Sequence, residues 1–92
     1  MKDAMEHELM TICGLVITYG DMREEDYADV IPYRVTREGD ALGTDFVEGR
    51  LPECTPLKSR GFSEEELQDI EQIMRDNMMI VYDQTRKVGA WA

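Results

Sequence analysis

The C-terminal third of the chain contains a helical repeat, the sequence feature that most constrains the fold. From Ser63 onward, apolar side chains recur at steps of three and four residues, the period of one helix face. The positions that carry the repeat are Leu67, Ile70, Met74, Met78, Val81, Thr85 and Val88. Ser63 and Glu66 have the spacing of a capping box, and Phe62 is placed for a hydrophobic staple onto Leu67. The pattern predicts a helix of about 25 residues, about 38 Å long, ending near Gly89.

Residues 30–36 show the two-residue alternation of a β-strand. Ile31, Tyr33 and Val35 alternate with more polar positions, while Pro32 predicts a place at a sheet edge or at the start of the strand. Residues 44–48 can return beside this strand after a turn over residues 39–43. A small antiparallel sheet is therefore expected to pack against the C-terminal helix.

The remaining segments are less regular. Residues 9–19 keep a helical step but are rich in β-branched residues and contain Gly14, which favours a strand and leaves a helix as the alternative. We expect residues 21–29 to form a short helix or an acidic loop, and residues 49–61 to connect elements without structure of their own. The resulting prediction is a single α+β domain over residues 1–92, with a mainly helical bundle as the alternative.

The charge of the chain limits its partners. Twenty acidic and 10 basic residues give a net charge of -10, which repels nucleic-acid phosphates and anionic lipids. We therefore expect no direct binding to nucleic acid or membranes. The apolar run Leu9–Tyr19 is shorter than the approximately 20 residues of a membrane span and follows acidic residues, unlike a signal peptide. The expected compartment is the cytoplasm.

No pattern of catalytic or ligand-binding residues is present. His7 is the only histidine, and Thr11 stands where a zinc-protease motif requires the second. The acidic segments lack the spacing of a calcium loop, and the glycines lack that of a phosphate loop. Cys13 and Cys54 are isolated, so we expect a buried reduced Cys13 and a loop position for Cys54. The sequence predicts a protein that is not an enzyme and has no cofactor or metal.

Two acidic segments hold most of the excess charge. Residues 21–29 contribute -4, from five acids and Arg23, and residues 64–71 contribute -5, from five acids and no base. The acids at the start of the helix can simply stabilise its positive dipole end. Alternatively, the two segments lie together and present a negative surface that imitates a nucleic-acid backbone. The predicted partner-binding residues are Asp21, Glu24, Glu25, Asp26, Asp29, Glu64, Glu65, Asp69 and Glu71.

Five consecutive apolar residues, Met78–Tyr82, interrupt the amphipathic pattern of the helix. Because they span more than one turn, one core face cannot cover them all. Either the sheet and the N-terminal segment surround this part of the helix, or Met79, Ile80 and Tyr82 form a self-association patch.

These observations favour a small acidic interaction protein that binds and occludes a basic partner which handles nucleic acid. In size and charge alone it is analogous to the inhibitors that phages and mobile elements direct against restriction or CRISPR nucleases. The alternative function is a homodimeric regulatory or structural module that uses the patch at residues 78–82.

Overall fold

A computed structural model describes residues 7–38 and 43–91, with helix side chains described as far as Thr85. The strands are β1 (His7–Ile12), β2 (Leu15–Tyr19), β3 (Arg23–Glu25), β4 (Ala28–Arg37), β5 (Asp45–Leu51) and β6 (Pro56–Arg60), followed by the helix α1 (Glu64–Trp91). The strands form a sheet of order β1-β2-β4-β5-β6, with every neighbouring pair antiparallel. Strand β3 pairs with the first residues of β4. The predicted α+β fold is confirmed, and the helical-bundle alternative is wrong.

Two hairpins have tight two-residue turns. Cys13 and Gly14 join β1 to β2, and Asp26 and Tyr27 join β3 to β4. All four residues have positive φ, between 50° and 80°, as a type I′ turn requires. Asp26 and Tyr27 adopt this conformation without a glycine, so the tip of the second hairpin is locally strained.

One face of the sheet packs against the helix. As predicted for Ile31, Tyr33 and Val35, alternate strand residues point into the core. The fully buried side chains on the sheet are Ile17, Ile31, Tyr33, Val35, Val47 and Leu51, and Met74 and Val81 meet them from the helix. The predicted core residue Val88 lies outside the side chains that the structure describes. The chain therefore forms two layers.

The start of the helix has the predicted capping box. The Ser63 backbone N–H donates to Glu66 Oε1 at 2.8 Å, and the Glu66 N–H donates to Ser63 Oγ at 3.2 Å. Arg37 also donates to Glu66, through Nη1 at 2.6 Å, and its guanidinium lies 4.0 Å above the Phe62 ring. These contacts attach the first turn of the helix to the end of β4.

Pro32 lies within a central strand, not at the predicted edge or strand start. Its carbonyl accepts a hydrogen bond from the Gly20 N–H at 2.9 Å, at the point where β4 passes from β2 to β3. In an antiparallel strand, the backbone nitrogen and carbonyl of one residue face the same neighbouring strand. The nitrogen of Pro32, which has no hydrogen to donate, therefore also lies at this junction.

Three further predictions need correction. Residues 23–25 form a strand instead of a helix or loop, and residues 49–61 include the end of β5 and all of β6. Cys13 was predicted to be buried but lies exposed in a turn, whereas Cys54 lies in the loop between β5 and β6, as predicted, with its side chain buried. Burial raises the pKa of the Cys54 thiol. Residues 9–19 contain two strands, β1 and β2, as the β-branched composition favours.

Candidate interaction surface

The helix runs antiparallel to β4, and this direction separates the two acidic segments. Glu66 is paired with Arg37 at one end of β4, and Tyr82 bonds to Asp29 at the other. At about 3.3 Å per residue, the stretch of β4 from Asp29 to Arg37 is about 26 Å long. Residues 21–29 and 64–71 therefore lie at opposite ends of the molecule and do not form one patch.

The acidic hairpin, residues 21–29, projects from one end of the sheet. Tyr27 occupies its tip and is 100% exposed. Within the described part of the chain, the carboxylates of Glu24, Asp26 and Asp29 are exposed and have no bonding partner. The hairpin thus combines a protruding aromatic ring with three unpaired negative charges.

The other two predicted acids of the hairpin have bonding partners. Asp21 Oδ1 lies 2.9 Å from His7 Nε2, and the His7 ring lies 5.1 Å from that of Tyr19. Glu25 pairs with both Arg23 and Arg50, at 2.8 and 2.5 Å. These contacts attach the hairpin to the sheet, and only Glu25 is partly buried, because the Asp21 side chain remains 78% exposed.

The apolar patch of the helix lies at this same end. Met79 is 76% exposed and Ile80 is 50% exposed, while Tyr82 is half-buried. The Tyr82 hydroxyl donates to the Asp29 carbonyl at 2.6 Å, and burial raises the pKa of this hydroxyl. The remaining members of the run, Met78 and Val81, pack in or against the core.

Asp76 and Asp83 flank this patch, three residues before Met79 and three residues after Ile80, and both are exposed. They are not among the partner-binding residues predicted from the sequence. The spacing of the sequence could have identified them, because they belong to a stripe of exposed helix positions that recur at alternating steps of four and three residues. The stripe consists of Glu65, Asp69, Gln72, Asp76, Met79 and Asp83. Adjacent acids and apolar side chains therefore share one helix face.

The predicted acids at the start of the helix have mixed environments. Glu64, Glu65 and Asp69 are exposed and unpaired among the described residues. Glu71 is half-buried and accepts a hydrogen bond from Arg75 at 2.6 Å. Glu64 and Glu65 lie in the first turn, where they complement the helix dipole.

The described residues contain no cluster of three or more histidine, cysteine or acidic side chains that could hold a metal ion. In that same part of the chain, no helix is long and apolar enough to cross a membrane. No protein-family model matches the chain, and neither a curated protein nor a solved structure matches it. The candidate site is thus defined by its own geometry: Tyr27, Met79 and Ile80 exposed at the end of the molecule where the unpaired hairpin acids lie.

Proposed function

We propose that this chain is a non-enzymatic interaction protein that binds a basic partner, acting in the cytoplasm. The binding surface is the acidic hairpin together with Met79 and Ile80, which we name the hairpin end. The partner class we infer is a protein that handles nucleic acid, because such proteins present basic surfaces to phosphate. Binding at those surfaces would occlude them.

The observation that carries this proposal is the pairing of exposed apolar side chains with unpaired acids at one end. Protein interfaces combine a desolvated apolar centre with a polar rim. Met79 and Ile80 provide adaptable apolar contacts, and Tyr27 is an exposed aromatic of the type enriched at binding hot spots. Glu24, Asp26 and Asp29 supply a negative rim that complements a positive surface.

An exposed acid beside the helix patch disfavours the alternative of a symmetric homodimer through that patch. A two-fold pairing at Met79 and Ile80 would bring the exposed carboxylate of Asp76 from each copy into the same contact. Like charges brought together in this way are unfavourable at neutral pH. A basic partner meets the apolar residues without that repulsion.

Affinity capture from the native host with surface variants tests the proposal. The double variant Met79→Ser/Ile80→Ser removes the apolar centre at exposed positions, so the fold should be retained. The matched control is Leu57→Ser, because Leu57 is an exposed apolar residue on β6, 61% accessible. We expect one basic protein to be captured by the wild type and by the control and lost from the double variant.

If binding occludes the basic surface of the partner, the captured protein should also lose its ability to bind nucleic acid. Its binding to nucleic acid, measured by fluorescence anisotropy, should fall as wild-type protein is added and should be unaffected by the double variant. Capture of the same proteins by the wild type and the double variant would contradict the proposed surface. Unimpaired nucleic-acid binding in the complex would contradict occlusion.

A further inference from the structure

The sheet ends in two edge strands, β1 and β6, and in the described part of the chain each of them pairs on one side alone. Strand β6 contains Pro56, Lys58 and Arg60, and prolines and basic side chains are common devices that block pairing at an exposed edge. Strand β1, with the sequence HELMTI, has no proline, lysine or arginine. The β1 edge is therefore the less protected of the two.

The orientation of the β2 backbone follows from one hydrogen bond. The Gly20 N–H donates to the Pro32 carbonyl at 2.9 Å, so the backbone groups of Gly20 face β4. Successive residues of a strand turn these groups to alternate sides. The backbone groups of Val16 and Thr18 therefore also face β4 and are directed away from β1.

Glu8 and Thr11 of β1 lie directly opposite Thr18 and Val16. In an antiparallel pair, two opposite residues either exchange backbone hydrogen bonds or both face away from each other. The amides and carbonyls of Glu8 and Thr11 therefore point outward from the edge of the sheet, where no strand of the described residues pairs with them.

These two outward residues are three positions apart because Leu9 forms a bulge. The register with β2 shifts between Glu8 and Met10, which leaves Leu9 without an opposite residue. In a regular strand the outward residues recur at every second position, about 6.7 Å apart. An ordinary strand therefore cannot match both Glu8 and Thr11, and bulges hinder edge pairing in this way. A strand with the same extra residue matches both.

We propose that the β1 edge pairs with β1 of a second copy of this chain, antiparallel and about a two-fold axis. In this register Glu8 of each copy lies opposite Thr11 of the other, and the two bulges lie between the two bonded pairs. The contact joins two sheets into one. It uses none of Tyr27, Met79 and Ile80 and does not depend on the function proposed above.

The charges of the two copies are compatible in this register. The Glu8 carboxylate accepts a hydrogen bond from the Thr11 hydroxyl of its own chain at 3.0 Å, and the Thr11 hydroxyl of the second copy would lie opposite it as another donor. Glu8 is the one acidic residue of β1. The two Glu8 carboxylates would lie about 10 Å apart, beyond the Debye length of about 8 Å at physiological salt.

Apolar side chains on the helix side of β1 become continuous across the contact. Leu9 and Met10 are partly buried against the core, and Ile12 is 43% exposed. In the proposed register Leu9 of one copy lies beside Met10 of the other, next to the two-fold axis. Pairing removes part of this apolar area from water, which favours association.

Sedimentation analysis of two proline variants of the full chain tests the contact. Thr11→Pro removes an outward N–H of β1 and leaves the bonds to β2 intact, as an edge strand tolerates when the proline nitrogen faces solvent. The matched control is Ser59→Pro on β6. Ser59 is exposed, and by the same alternation of the backbone its N–H also faces outward.

A second set of variants keeps every backbone N–H and tests the register. Thr11→Glu places a carboxylate opposite Glu8 of the second copy, whereas the control Ser59→Glu makes the same change in net charge, from -10 to -11. Like charges directly opposite each other destabilise a strand pair. In Glu8→Lys/Thr11→Glu each new carboxylate lies opposite a lysine, so the pairing should be restored.

We expect the wild type to dimerise with rising concentration, and more strongly at about 0.5 M salt than at about 50 mM, because salt screens the repulsion between two acidic copies. Thr11→Pro should remain monomeric at concentrations where the wild type and Ser59→Pro are dimers. Thr11→Glu should dimerise at least about fivefold more weakly than Ser59→Glu. In the wild-type dimer, hydrogen exchange should slow at the amide of Thr11 and not at that of Ser59.

A wild type that remains monomeric would overturn the proposal, including the case in which another protein protects the Thr11 amide. Equal loss of the dimer in both proline variants would also overturn it. Equal dimerisation of Thr11→Glu and Ser59→Glu, or a failure of Glu8→Lys to restore pairing, would contradict the proposed register.

Discussion

The hydroxyl of Tyr82 donates a hydrogen bond of 2.6 Å to the backbone carbonyl of Asp29. This bond joins the C-terminal half of the helix to the acidic hairpin across 53 residues of sequence. It places the apolar patch and the unpaired carboxylates of the hairpin at one end of the molecule. The proposed interaction surface depends on this attachment.

Loss of that bond should loosen the hairpin. Tyr82→Phe removes the donor and keeps the ring, and we expect a loss of about 1 kcal/mol in the free energy of unfolding, measured with urea. Amide exchange in residues 23–30 should accelerate more than in β5. Tyr27→Phe is the control, because Tyr27 is fully exposed and should leave stability and exchange unchanged. Equal stability of both variants would show that the bond contributes nothing.

Gly49 is required where β5 passes beneath an aromatic ring. A Cβ atom built at Gly49 would lie 2.6 Å from the Cζ atom of Tyr33, and Tyr33 is held in place because its hydroxyl donates to the Cys54 carbonyl at 2.5 Å. We expect Gly49→Ala to destabilise the protein by about 1–3 kcal/mol through overpacking. In a Tyr33→Val background the same substitution should cost less, as a double-mutant cycle would measure. Equal costs in the two backgrounds would contradict the steric explanation.

Glu66 should contribute to the loss of stability in acid. The hydrogen bond from Arg37, followed by those of the capping box, lowers the pKa of Glu66 from its usual 4.5 to about 2. Because the folded-state pKa is the lower one, its stabilising contribution is complete above about pH 4.5 and is lost as the pH falls towards 2. Glu66→Gln should therefore flatten the dependence of the urea midpoint on pH in this window.

Glu65→Gln is the control for this experiment, since Glu65 neighbours Glu66 but is exposed and unpaired within the described residues. It should retain the acid slope of the wild type. Arg37→Met should flatten the slope as Glu66→Gln does, because it removes the main cause of the shift. A wild-type slope in the Arg37 variant would show that the ion pair is not responsible.

Local sequence signals were sufficient for the helix and for much of the sheet. The capping box of Ser63 and Glu66 and the alternation of Ile31, Tyr33 and Val35 are properties of neighbouring residues, and both predictions are confirmed. The hairpin of β3 and β4 could not be predicted from such local signals. Its turn uses Asp26 and Tyr27 at positive φ, where glycine or asparagine is the usual signal.

The arrangement of the candidate site depends on long-range packing. Whether residues 21–29 approach the start or the end of the helix depends on the helix direction across the sheet, which no local pattern specifies. The contacts of Arg37 with Glu66 and of Asp29 with Tyr82 decide it. These contacts place the two acidic segments at opposite ends of the molecule, although the sequence alone allowed them to be neighbours. They also bring the acidic hairpin to the same end as the apolar patch of the helix, which the sequence suggested as an alternative interaction surface.

The most direct test of the account is the affinity of the captured basic partner for two charge-reversed variants, measured by titration calorimetry. Glu24→Lys/Asp29→Lys alters the hairpin end, Glu65→Lys/Asp69→Lys alters the helix start, and each changes the net charge from -10 to -6. We predict that the hairpin variant binds at least about tenfold more weakly while the helix variant binds as the wild type does. Equal weakening of both variants, or weakening by the helix variant alone, would contradict the hairpin end as the binding surface.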